Sequence, residues 1–533
     1  MTLLHHLLDR STRLTPGKDA VRYRGEGTSY AQLQDISMRT ASGLQALGVA
    51  RGDRVVIFLP NRPEAVEIAL ACSRMGAIFI PVSPMLRSRQ LTHILRDSGA
   101  TTLVLSDSLL PYALSSIEDS GAVRNVVLVE AKQSLKQIRR EVRQLRIEEL
   151  RSYEPIGANA VAIDRDLAAI LYTSGSTGPA KGVMISHHNL VSGAVCVAQY
   201  LENTSDDRLL AALPLSFDYG LSQITTAFHV GACATLTNYS MPAAIVQEAA
   251  AEKITGLAGV PTMWAYLAAA EWPAAARDRL RYITNSGGAL TQTLIRSLRA
   301  RLPSARLFCM YGLTEAFRST YLDPDRIDER RGSIGKAIPN QEILLVRSDG
   351  SRCEPGETGE LVHRGSLVAQ GYWNNPEATA RRFRSVPAWV STATAGEMAV
   401  WSGDLARTDA DGYLYFVARA DQLIKTSGYR VSSTEIEDIV SEVDGVIENV
   451  ALGIADELLG QKIVVAVAGS VGDAEALIER IRRHCRLHLP PYMAPADIHV
   501  LEALPRNANG KPDRPALAKW IESSRTDYVS RQA

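Results

Sequence analysis

Short apolar segments alternate with longer amphipathic segments along the first part of the chain. The apolar segments have the continuous hydrophobic character of buried strands and are Arg54–Leu59, Ala77–Val82 and Thr102–Leu105. The amphipathic segments have helical spacing and extend from Thr28 to Leu47, from Asn61 to Met75 and from Arg87 to Ser98. Strands separated by helices of this length predict a mainly parallel α/β sheet.

The alternation returns from about Asp166 to Thr320, and short strands with Gly and Pro turns dominate after about Pro339. Beyond Arg419 the pattern is βαβ-like, and it predicts helices over Val431–Val443 and Ala474–Leu487 with strands at Ile447–Ile454 and Lys462–Ala468. The sequence therefore predicts a large N-terminal α/β domain over residues 1–420, with a β-rich subdomain at about 335–420. A small α+β C-terminal domain is expected over residues 421–524, followed by a disordered tail over 525–533.

The charge balance narrows the classes of partner. Among 533 residues the chain has 58 Lys plus Arg and 58 Asp plus Glu, so its formal net charge is zero. A balanced chain has no overall attraction to nucleic acid or to an anionic membrane. No apolar run reaches the roughly 18 residues that a membrane-spanning helix needs, and the first residues lack the apolar centre of a signal peptide. We therefore expect a cytoplasmic protein with no nucleic-acid or membrane partner.

A loop rich in glycine and hydroxyl residues follows the apolar strand predicted over Leu167–Leu171. Glycine lets backbone N–H groups turn towards an anion, and hydroxyl side chains add further donors. With its lysine, the loop is a candidate cradle for a polyphosphate, and its phosphate-binding residues would be Thr173, Ser174, Gly175, Ser176, Thr177, Gly178 and Lys181. It is not a Walker A loop, because Lys181 stands between Ala180 and Gly182.

Five ordered segments resemble the signatures of the adenylate-forming (AMP-binding) superfamily, which includes acyl-CoA synthetases, stand-alone adenylation enzymes and luciferases. They are Thr173–Gly182, Tyr311–Glu315, Ser402–Asp404, Arg419–Glu435 and Asn509–Lys511. The resemblance covers nearly the whole chain, and five ordered motifs are more specific than any one of them. It implies an enzyme that joins a carboxylate to the α-phosphate of ATP, releases pyrophosphate, and then transfers the acyl group to a thiol.

The resemblance also implies how the nucleotide is held. Glu315 would hold Mg²⁺, and Thr314 would contact the α-phosphate. Asp404 would accept hydrogen bonds from the ribose hydroxyls, and Arg419 would donate to the same sugar. The adenine would lie beside Gly287, Gly288, Ala289, Tyr311 and Gly312.

The C-terminal motifs imply a reaction in two conformations. Lys511 would bridge the carboxylate and the α-phosphate during adenylation, and would leave before the thiol enters. The C-terminal domain is therefore expected to be mobile, with Asp421 at the hinge. The side of the domain that receives the thiol would include Lys425, Gly428 and Arg430. The thiol belongs either to coenzyme A or to the phosphopantetheine arm of a carrier protein acting in trans, and no residue decides between them.

Asp218 bears most directly on the acid substrate. Leu213–Gly220 resembles the segment of amino-acid-activating members in which an Asp pairs with the substrate's α-ammonium group, and it is similar to stand-alone L-prolyl-AMP ligases. Alternatively, Asp218 caps a helix that begins at Tyr219. The longer run Met310–Leu322 resembles a bacterial subgroup of exosortase-associated acyl-CoA ligases.

The same resemblance suggests the rest of the acid pocket: Tyr219, Ser222, Ala258, Thr284, Ser286, Met310, Arg318 and Ser319. This wall is partly polar, which disfavours a long-chain fatty acid, because such a substrate needs a continuous apolar tunnel. Arg318 either receives a second carboxylate or another oxygen of the substrate, or forms a salt bridge, for instance with Asp218. We expect an amino- or imino-acid-like substrate and a carrier-protein acceptor. The alternative is an acyl-CoA synthetase acting on a non-amino acid.

Overall fold

The computed structural model describes residues 2–131, 138, 141–157, 162–173, 179–238, 241–391, 396–419, 423–469, 474–506 and 512–530. The chain divides into two compact units. The first comprises Met1–Pro84, Leu91–Thr173 and Lys181–Ala420. The second comprises Met85–Gln90, Ser174–Ala180 and Asp421–Ala533. The domain boundaries that the sequence suggests stay a prediction.

The strands, in chain order, are β1 (Asp19–Tyr23), β2 (Glu26–Ser29), β3 (Arg54–Phe58), β4 (Ile78–Val82), β5 (Thr102–Ser106), β6 (Asn125–Val129), β7 (Arg143–Arg146), β8 (Leu167–Thr173), β9 (Lys181–Ser186), β10 (Arg208–Ala211), β11 (Cys233–Leu236), β12 (Gly256–Gly259), β13 (Tyr282–Asn285), β14 (Arg306–Tyr311), β15 (Thr320–Leu322), β16 (Lys336–Ala337), β17 (Gln341–Val346), β18 (Thr358–Gly365), β19 (Phe383–Ser385), β20 (Met398–Thr408), β21 (Leu414–Arg419), β22 (Leu423–Thr426), β23 (Tyr429–Ser432), β24 (Val446–Asp456), β25 (Gly460–Gly469) and β26 (Asp497–Leu501).

The helices, in the same order, are α1 (Leu4–Leu14), α2 (Tyr30–Ala46), α3 (Pro63–Met75), α4 (Ser88–Ser98), α5 (Leu110–Ser120), α6 (Ile147–Arg151), α7 (His187–Tyr200), α8 (Asp218–Val230), α9 (Pro242–Ala251), α10 (Pro261–Ala269), α11 (Ala274–Arg277), α12 (Gln292–Arg301), α13 (Pro376–Arg382), α14 (Ser433–Ser441), α15 (Ala474–His488) and α16 (Arg514–Ser530). Within the described ranges, every helix is too short or too polar to cross a membrane.

The first unit contains three sheets. A nine-stranded sheet has the order β16-β15-β14-β13-β12-β10-β11-β1-β2, and its central strands are parallel. A seven-stranded sheet has the order β7-β6-β5-β3-β4-β8-β9, and only its β8–β9 pair is antiparallel. A third sheet, β17-β18-β20-β19 with β21 beside β20, is antiparallel throughout. The predicted fold class, with parallel sheets and a β-rich subdomain, is confirmed.

The second unit is a sheet with helices on both faces. Its order is β23-β22-β25-β24, with β26 parallel to β25. Because side chains alternate along a strand, Ile463 and Val465 of β25 share a hydrophobic cluster with α14 and α15. Val464 and Ala466 of the same strand share a second cluster with α16. Apolar residues at successive positions of β25 are thereby all buried, as in a strand covered on both faces.

Two predicted elements of the second unit differ in the structure. The helix expected over Val431–Val443 begins at Ser433, because the preceding Tyr429–Ser432 pairs with β22. The Ser432 side chain then accepts a hydrogen bond from the Glu435 N–H and caps α14. At the other end, α16 extends to Ser530 and includes most of the segment for which a disordered tail is expected. Residues 531–533 lie outside the described ranges.

His187 is a fully buried histidine at the start of α7, and its Nδ1 accepts a hydrogen bond from the Leu4 N–H. Burial lowers the pKa of His187 to about 4, and the nearby Asp164 and Asp166 only partly oppose this effect. The histidine therefore stays neutral in the folded protein but is protonated below about pH 6.5 when the chain unfolds.

We expect His187→Asn, which retains an acceptor but does not titrate, to reduce the loss of stability on acidification. Protonation of the unfolded chain lowers stability as the pH falls from 6.5 towards 4, and this histidine accounts for about 2 kcal/mol by pH 5. Urea unfolding at pH 7 and pH 5 measures the difference. The neighbouring, half-exposed His188 provides the control His188→Asn, which should behave like the wild type. Equal acid sensitivity of all three proteins would contradict the assignment.

Candidate active site

Four parallel strands of the nine-stranded sheet end at one edge, and most of the predicted acid-pocket residues lie on these strands or in the segments that follow them. β10, β12, β13 and β14 run in the same direction, so the segments after their carboxyl ends are neighbours. Asp218 follows β10, Ser286 follows β13, and Thr314 follows β14. Ligands of open α/β sheets bind at such an edge, so this sheet brings the predicted acid pocket together with the residues expected beside the adenine and the α-phosphate.

Glu315 lies in a single 3₁₀ turn, Thr314–Ala316, after β14. Its side chain is buried with 5 % exposure, and its Oε1 accepts a hydrogen bond of 2.6 Å from the Tyr372 hydroxyl. The Lys181 Nζ lies 5.6 Å from the centre of the Tyr372 ring. Tyr372 thus connects the carboxylate expected to hold Mg²⁺ with the lysine expected to hold phosphate.

Glu315 fits a magnesium site of the type that uses a substrate's phosphates. Mg²⁺ is commonly bound by one or two carboxylates together with phosphate oxygens, not by a cage of protein ligands. No cluster of three or more metal-binding side chains occurs in the described part of the chain. A single buried carboxylate, joined through Tyr372 to the lysine expected to bind phosphate, is therefore a donor set that fits a magnesium–nucleotide complex.

We expect Tyr372→Phe to slow adenylation by about 10- to 100-fold. The change removes a hydrogen bond to a charged group, worth roughly 1.5–3 kcal/mol, while the ring keeps its contacts with Lys181 and Phe383. The rate of acid-dependent ATP–pyrophosphate exchange measures the effect. Tyr415→Phe is the control, because Tyr415 also donates to a carboxylate, that of Asp409, in the antiparallel sheet. An equal loss in both variants would mean that the Tyr372 bond has no specific role.

Asp404 is completely buried on β20 and accepts a hydrogen bond from the Tyr311 hydroxyl. Its backbone N–H donates to the Ser402 hydroxyl, which itself donates to the Leu361 carbonyl. Arg419 is the register partner of Asp404 across β20 and β21. The two residues expected to bind ribose are therefore neighbours, and Tyr311 orients the carboxylate of one of them.

The segment expected beside the adenine follows β13. The Asn285 side-chain amide donates a hydrogen bond of 2.8 Å to the Gly288 carbonyl, which closes a tight turn. Gly287 has a φ of +84° in this turn, a backbone conformation that favours glycine. A side chain at Gly288 would lie 3.1 Å from the Pro261 ring. Ala289 is exposed beyond the turn, so bare backbone is presented here.

The predicted acid-pocket residues lie on adjacent elements. The Tyr219 hydroxyl of α8 is 2.5 Å from the Thr284 hydroxyl of β13, and Ala258 of β12 is the register partner of Thr284. Met310 of β14 accepts a hydrogen bond of 3.2 Å from the Tyr200 hydroxyl. The structure thus assembles one wall from α8, β12, β13 and β14.

The loop before α8 is positioned by a side chain that the sequence pattern placed in a helix. Asn61 precedes α3, which begins at Pro63. Its amide donates to the Ala211 and Leu213 carbonyls, and its oxygen accepts from the Leu215 N–H. The bonds tie the end of β10 to the loop that leads to Asp218. No local pattern distinguishes Asn61, since its partners lie about 150 residues away.

The alternative in which Asp218 caps a helix beginning at Tyr219 is wrong. The helix begins at Asp218 itself, and Phe217 is the extended N-cap residue. An acidic residue in the first helical turn still interacts favourably with the helix N-terminus. The predicted salt bridge between Asp218 and Arg318 is also not observed, since no ion pair in the described ranges includes Arg318.

Several predicted residues do not enter this geometry. Seven predicted residues lie outside the described residues: Ser174, Gly175, Ser176, Thr177 and Gly178 of the expected phosphate loop, the hinge candidate Asp421 and the catalytic candidate Lys511. Lys425 and Arg430 are register partners in the β22–β23 hairpin of the second unit. Gly428 has a φ of +82° in the turn between them.

Tyr372 is the residue of the nucleotide side that the sequence motifs missed. It follows Gly371, whose carbonyl accepts a hydrogen bond from the Met184 N–H of β9. The next residue, Trp373, donates its backbone N–H to the Gly182 carbonyl. These bonds hold the Tyr372 segment against the strand that carries Lys181. The adjacent aromatic residues Tyr372 and Trp373 were the only local signal of this segment, and nothing in the sequence pattern indicates that Tyr372 contacts Glu315.

Comparisons with known proteins agree with this architecture. The chain matches the AMP-binding enzyme family over residues 8–373 and the AMP-binding enzyme C-terminal domain over residues 435–511. A feruloyl-CoA synthase from an Amycolatopsis species is 31 % identical over 508 residues, which are 94 % of this chain and 96 % of that relative.

Two further similarities differ in extent. A linear gramicidin synthase from Brevibacillus parabrevis is 29 % identical over 534 residues, but the match covers 99 % of this chain and only 10 % of that protein. A solved structure of o-succinylbenzoate CoA synthetase from Bacillus subtilis is 27 % identical, with a TM-score of 0.80, and the match covers 96 % of this chain and 98 % of that one.

Proposed function

Since the chain belongs to the AMP-binding enzyme family and is an ATP-dependent, AMP-forming acyl ligase, we propose that it activates a small, amino- or imino-acid-like carboxylic acid. We further propose that the acyl group passes to the pantetheine thiol of a carrier protein. The observation that carries the substrate class is the polar acid-pocket wall, where the Tyr219 and Thr284 hydroxyls meet at 2.5 Å beside the Asp218 turn.

In the proposed reaction, each residue has one task in an in-line displacement at the α-phosphate. Such a reaction depends on positioning the two reactants and neutralising their charge. Thr173 and Lys181 face each other in the β8–β9 register at the base of the phosphate loop, where they would hold the outer phosphates. Glu315 would hold Mg²⁺, which supplies positive charge for the leaving pyrophosphate. Thr314 would contact the α-phosphate.

The remaining assignments concern the sugar, the base and the second step. Asp404 and Arg419 would hold the ribose, and the Gly287–Gly288 turn would lie against the adenine. Lys511 would neutralise charge between the acid and the α-phosphate. Asp421 would be the hinge of the second step, and Lys425, Gly428 and Arg430 would lie on the side that receives the thiol.

For the acid, an α-ammonium group would be the natural partner of Asp218. A carboxylate in a half-buried position is favoured when a cation satisfies it. Asp218 stands at the first position of α8, one residue before Tyr219 of the pocket wall. A substrate with an amino or imino group next to its reacting carboxyl would place its charge there.

Coenzyme A is the second candidate acceptor. Two relatives match this chain over almost their full length, and the names of both refer to coenzyme A. They are the feruloyl-CoA synthase and the o-succinylbenzoate CoA synthetase. The match to the gramicidin synthase covers only 10 % of that protein, and the resemblance of Leu213–Gly220 to amino-acid-activating members is what favours a carrier. Both acceptors present the same pantetheine thiol, so the chemistry of transfer is shared.

ATP–pyrophosphate exchange tests the acid, with a panel of the twenty amino acids, imino acids such as proline, short and medium fatty acids, and aryl acids. Dominance of one amino or imino acid would support the proposal. A response confined to acids without an amino group would overturn it. With the best acid, rapid thioester formation on free coenzyme A would favour the second acceptor, whereas release of free adenylate without thioester would favour a carrier.

A further inference from the structure

Arg318 is a buried cation without a counter-charge. Its side chain is 4 % exposed, and its Nε is inaccessible to solvent and lacks a hydrogen-bond partner. In the part of the chain that the structure describes, no hydrogen bond or ion pair involves its guanidinium group. Its one aromatic contact places the guanidinium carbon 4.5 Å from the centre of the Tyr219 ring. A cation–π contact supplies no hydrogen-bond acceptor, so the buried Nε–H has none among the described residues.

A strained turn holds Arg318 in this position. The Arg318 N–H donates a hydrogen bond of 2.5 Å to the Ala316 carbonyl, across Phe317. Phe317 has φ +50° and ψ −40°, which makes the segment a classic γ-turn, a rare and strained conformation. The Phe317 ring is completely buried against α7, where a Cβ on Gly193 would lie 2.6 Å from it. Packing therefore maintains the strain, as it commonly does at functional sites.

The surroundings of Arg318 are polar but do not neutralise it. The guanidinium lies near the phenols of Tyr200 and Tyr219. Burial raises the pKa of both phenols, to about 12 for Tyr200, and the Arg318 charge partly offsets each increase. The hydroxyls of Ser319, next in sequence, and of Ser222, one helical turn beyond Tyr219, are also buried without hydrogen-bond partners among the described residues. Buried polar groups normally have partners, and Arg318, Ser222 and Ser319 each have a buried polar atom without one in the described ranges.

We propose that Arg318, aided by Ser222 and Ser319, binds a second carboxylate of the acid substrate, which is therefore a small dicarboxylic acid. An arginine remains charged at all physiological pH values, and its planar group matches a carboxylate in two parallel hydrogen bonds. The inference rests on the proposed function, because it refines the acid that the same pocket takes. Glu315 and Arg318 lie in one segment between β14 and β15, so this segment would carry both the carboxylate for Mg²⁺ and the cation for the second carboxylate of the acid.

Matched pairs of acids test the second charge separately from the amino group. L-glutamate and L-glutamine differ only in the second carboxylate, and so do glutarate and its monoamide glutaramate. Exchange should favour the dicarboxylic acid of each pair by about thirtyfold or more in kcat/KM, because the amide leaves the buried cation unpaired. Comparison of glutamate with glutarate tests whether the substrate needs an amino group, as the proposed function requires. Amides activated as well as the dicarboxylic acids would overturn the assignment of Arg318 and leave the proposed function intact.

Two variants of Arg318 distinguish recognition from structure. In Arg318→Gln the preference for the dicarboxylic acid should fall to near one, and an unchanged preference would overturn the proposal. Arg318→Met should raise the unfolding midpoint of the ligand-free protein, because it removes an unpaired buried charge. The control is Arg62→Met, since Arg62 is 5 % exposed but paired with Glu64 and Glu130, and its loss should lower the midpoint.

The stability measurement also decides the case in which no acid supports exchange. That result would contradict the proposed function for small acids. A lower midpoint for Arg318→Met would then show that the guanidinium has a structural partner and would overturn the inference. A higher midpoint would show that the guanidinium is unpaired, but without activation of glutamate or glutarate the inference of a small dicarboxylic acid would still be overturned.

Discussion

Replacement of Glu315 by Gln should reduce ATP–pyrophosphate exchange by about a thousandfold or more, because the metal contributes several kcal/mol of charge stabilisation. Gln has the same shape as Glu and still offers Tyr372 an acceptor, but it carries no negative charge for Mg²⁺. The carboxylate is buried and is held by a hydrogen bond of 2.6 Å, so no neighbouring solvent-exposed side chain would replace it. Exchange measured across a range of Mg²⁺ concentrations should show that excess metal restores little activity.

The exposed Glu329, which pairs with Arg326, provides the matched control Glu329→Gln. This control should retain wild-type exchange, and both variants should unfold at the wild-type midpoint. Exchange by Glu315→Gln within tenfold of the wild type, with an unchanged dependence on Mg²⁺, would show that Glu315 does not bind the metal.

Replacement of Lys511 by Ala should separate the two half-reactions. Adenylation should fall by roughly 10²–10³-fold or more, the usual effect of removing a group that stabilises developing charge. Transfer of the acyl group from preformed acyl-adenylate to the thiol should remain near the wild-type rate, because Lys511 is proposed to leave before that step. Exchange reports the first reaction, and thioester formation from synthetic adenylate of the best acid reports the second.

Lys519 on α16 provides a control for Lys511, because it is an exposed lysine of the same unit. Lys519→Ala should leave both half-reactions unchanged. A bridge joins Arg506 and Pro512, which stand on either side of the segment that contains Lys511, so Lys511→Ala is not expected to unfold the unit. If Lys511→Ala impaired both half-reactions equally, the proposed role of this lysine would be wrong.

The strands with strong apolar patterns were predicted well, whereas the start of one helix was not. β3, β4 and β5 agree with the predicted strands to within a residue, because continuous hydrophobic runs have few alternatives to burial in a sheet. The start of α14 was wrong because Val431 and Ser432 pair with β22 instead of forming helix. That pairing depends on a neighbouring strand, which local helical spacing does not reveal.

Contacts between distant residues account for what the motifs did not reveal about the site. Glu315 meets Tyr372 across 57 positions, and Asp404 meets Tyr311 across 93. The motifs include Glu315, Tyr311 and Asp404 but not Tyr372, and they indicate neither of the two contacts. Tyr311 was expected beside the adenine, and only the fold shows that its hydroxyl also orients Asp404.

The sequence by itself determined the fold class, the family and the reaction of this protein, because each motif is a contiguous segment whose residue types already carry the chemistry of phosphate and nucleotide binding. Only the tertiary structure decided that Tyr372 orients Glu315, that Asp218 begins α8, and that Arg318 is buried without a counter-charge. The physical reason is that burial and pairing depend on the groups that surround a side chain, and in this chain those groups come from distant positions.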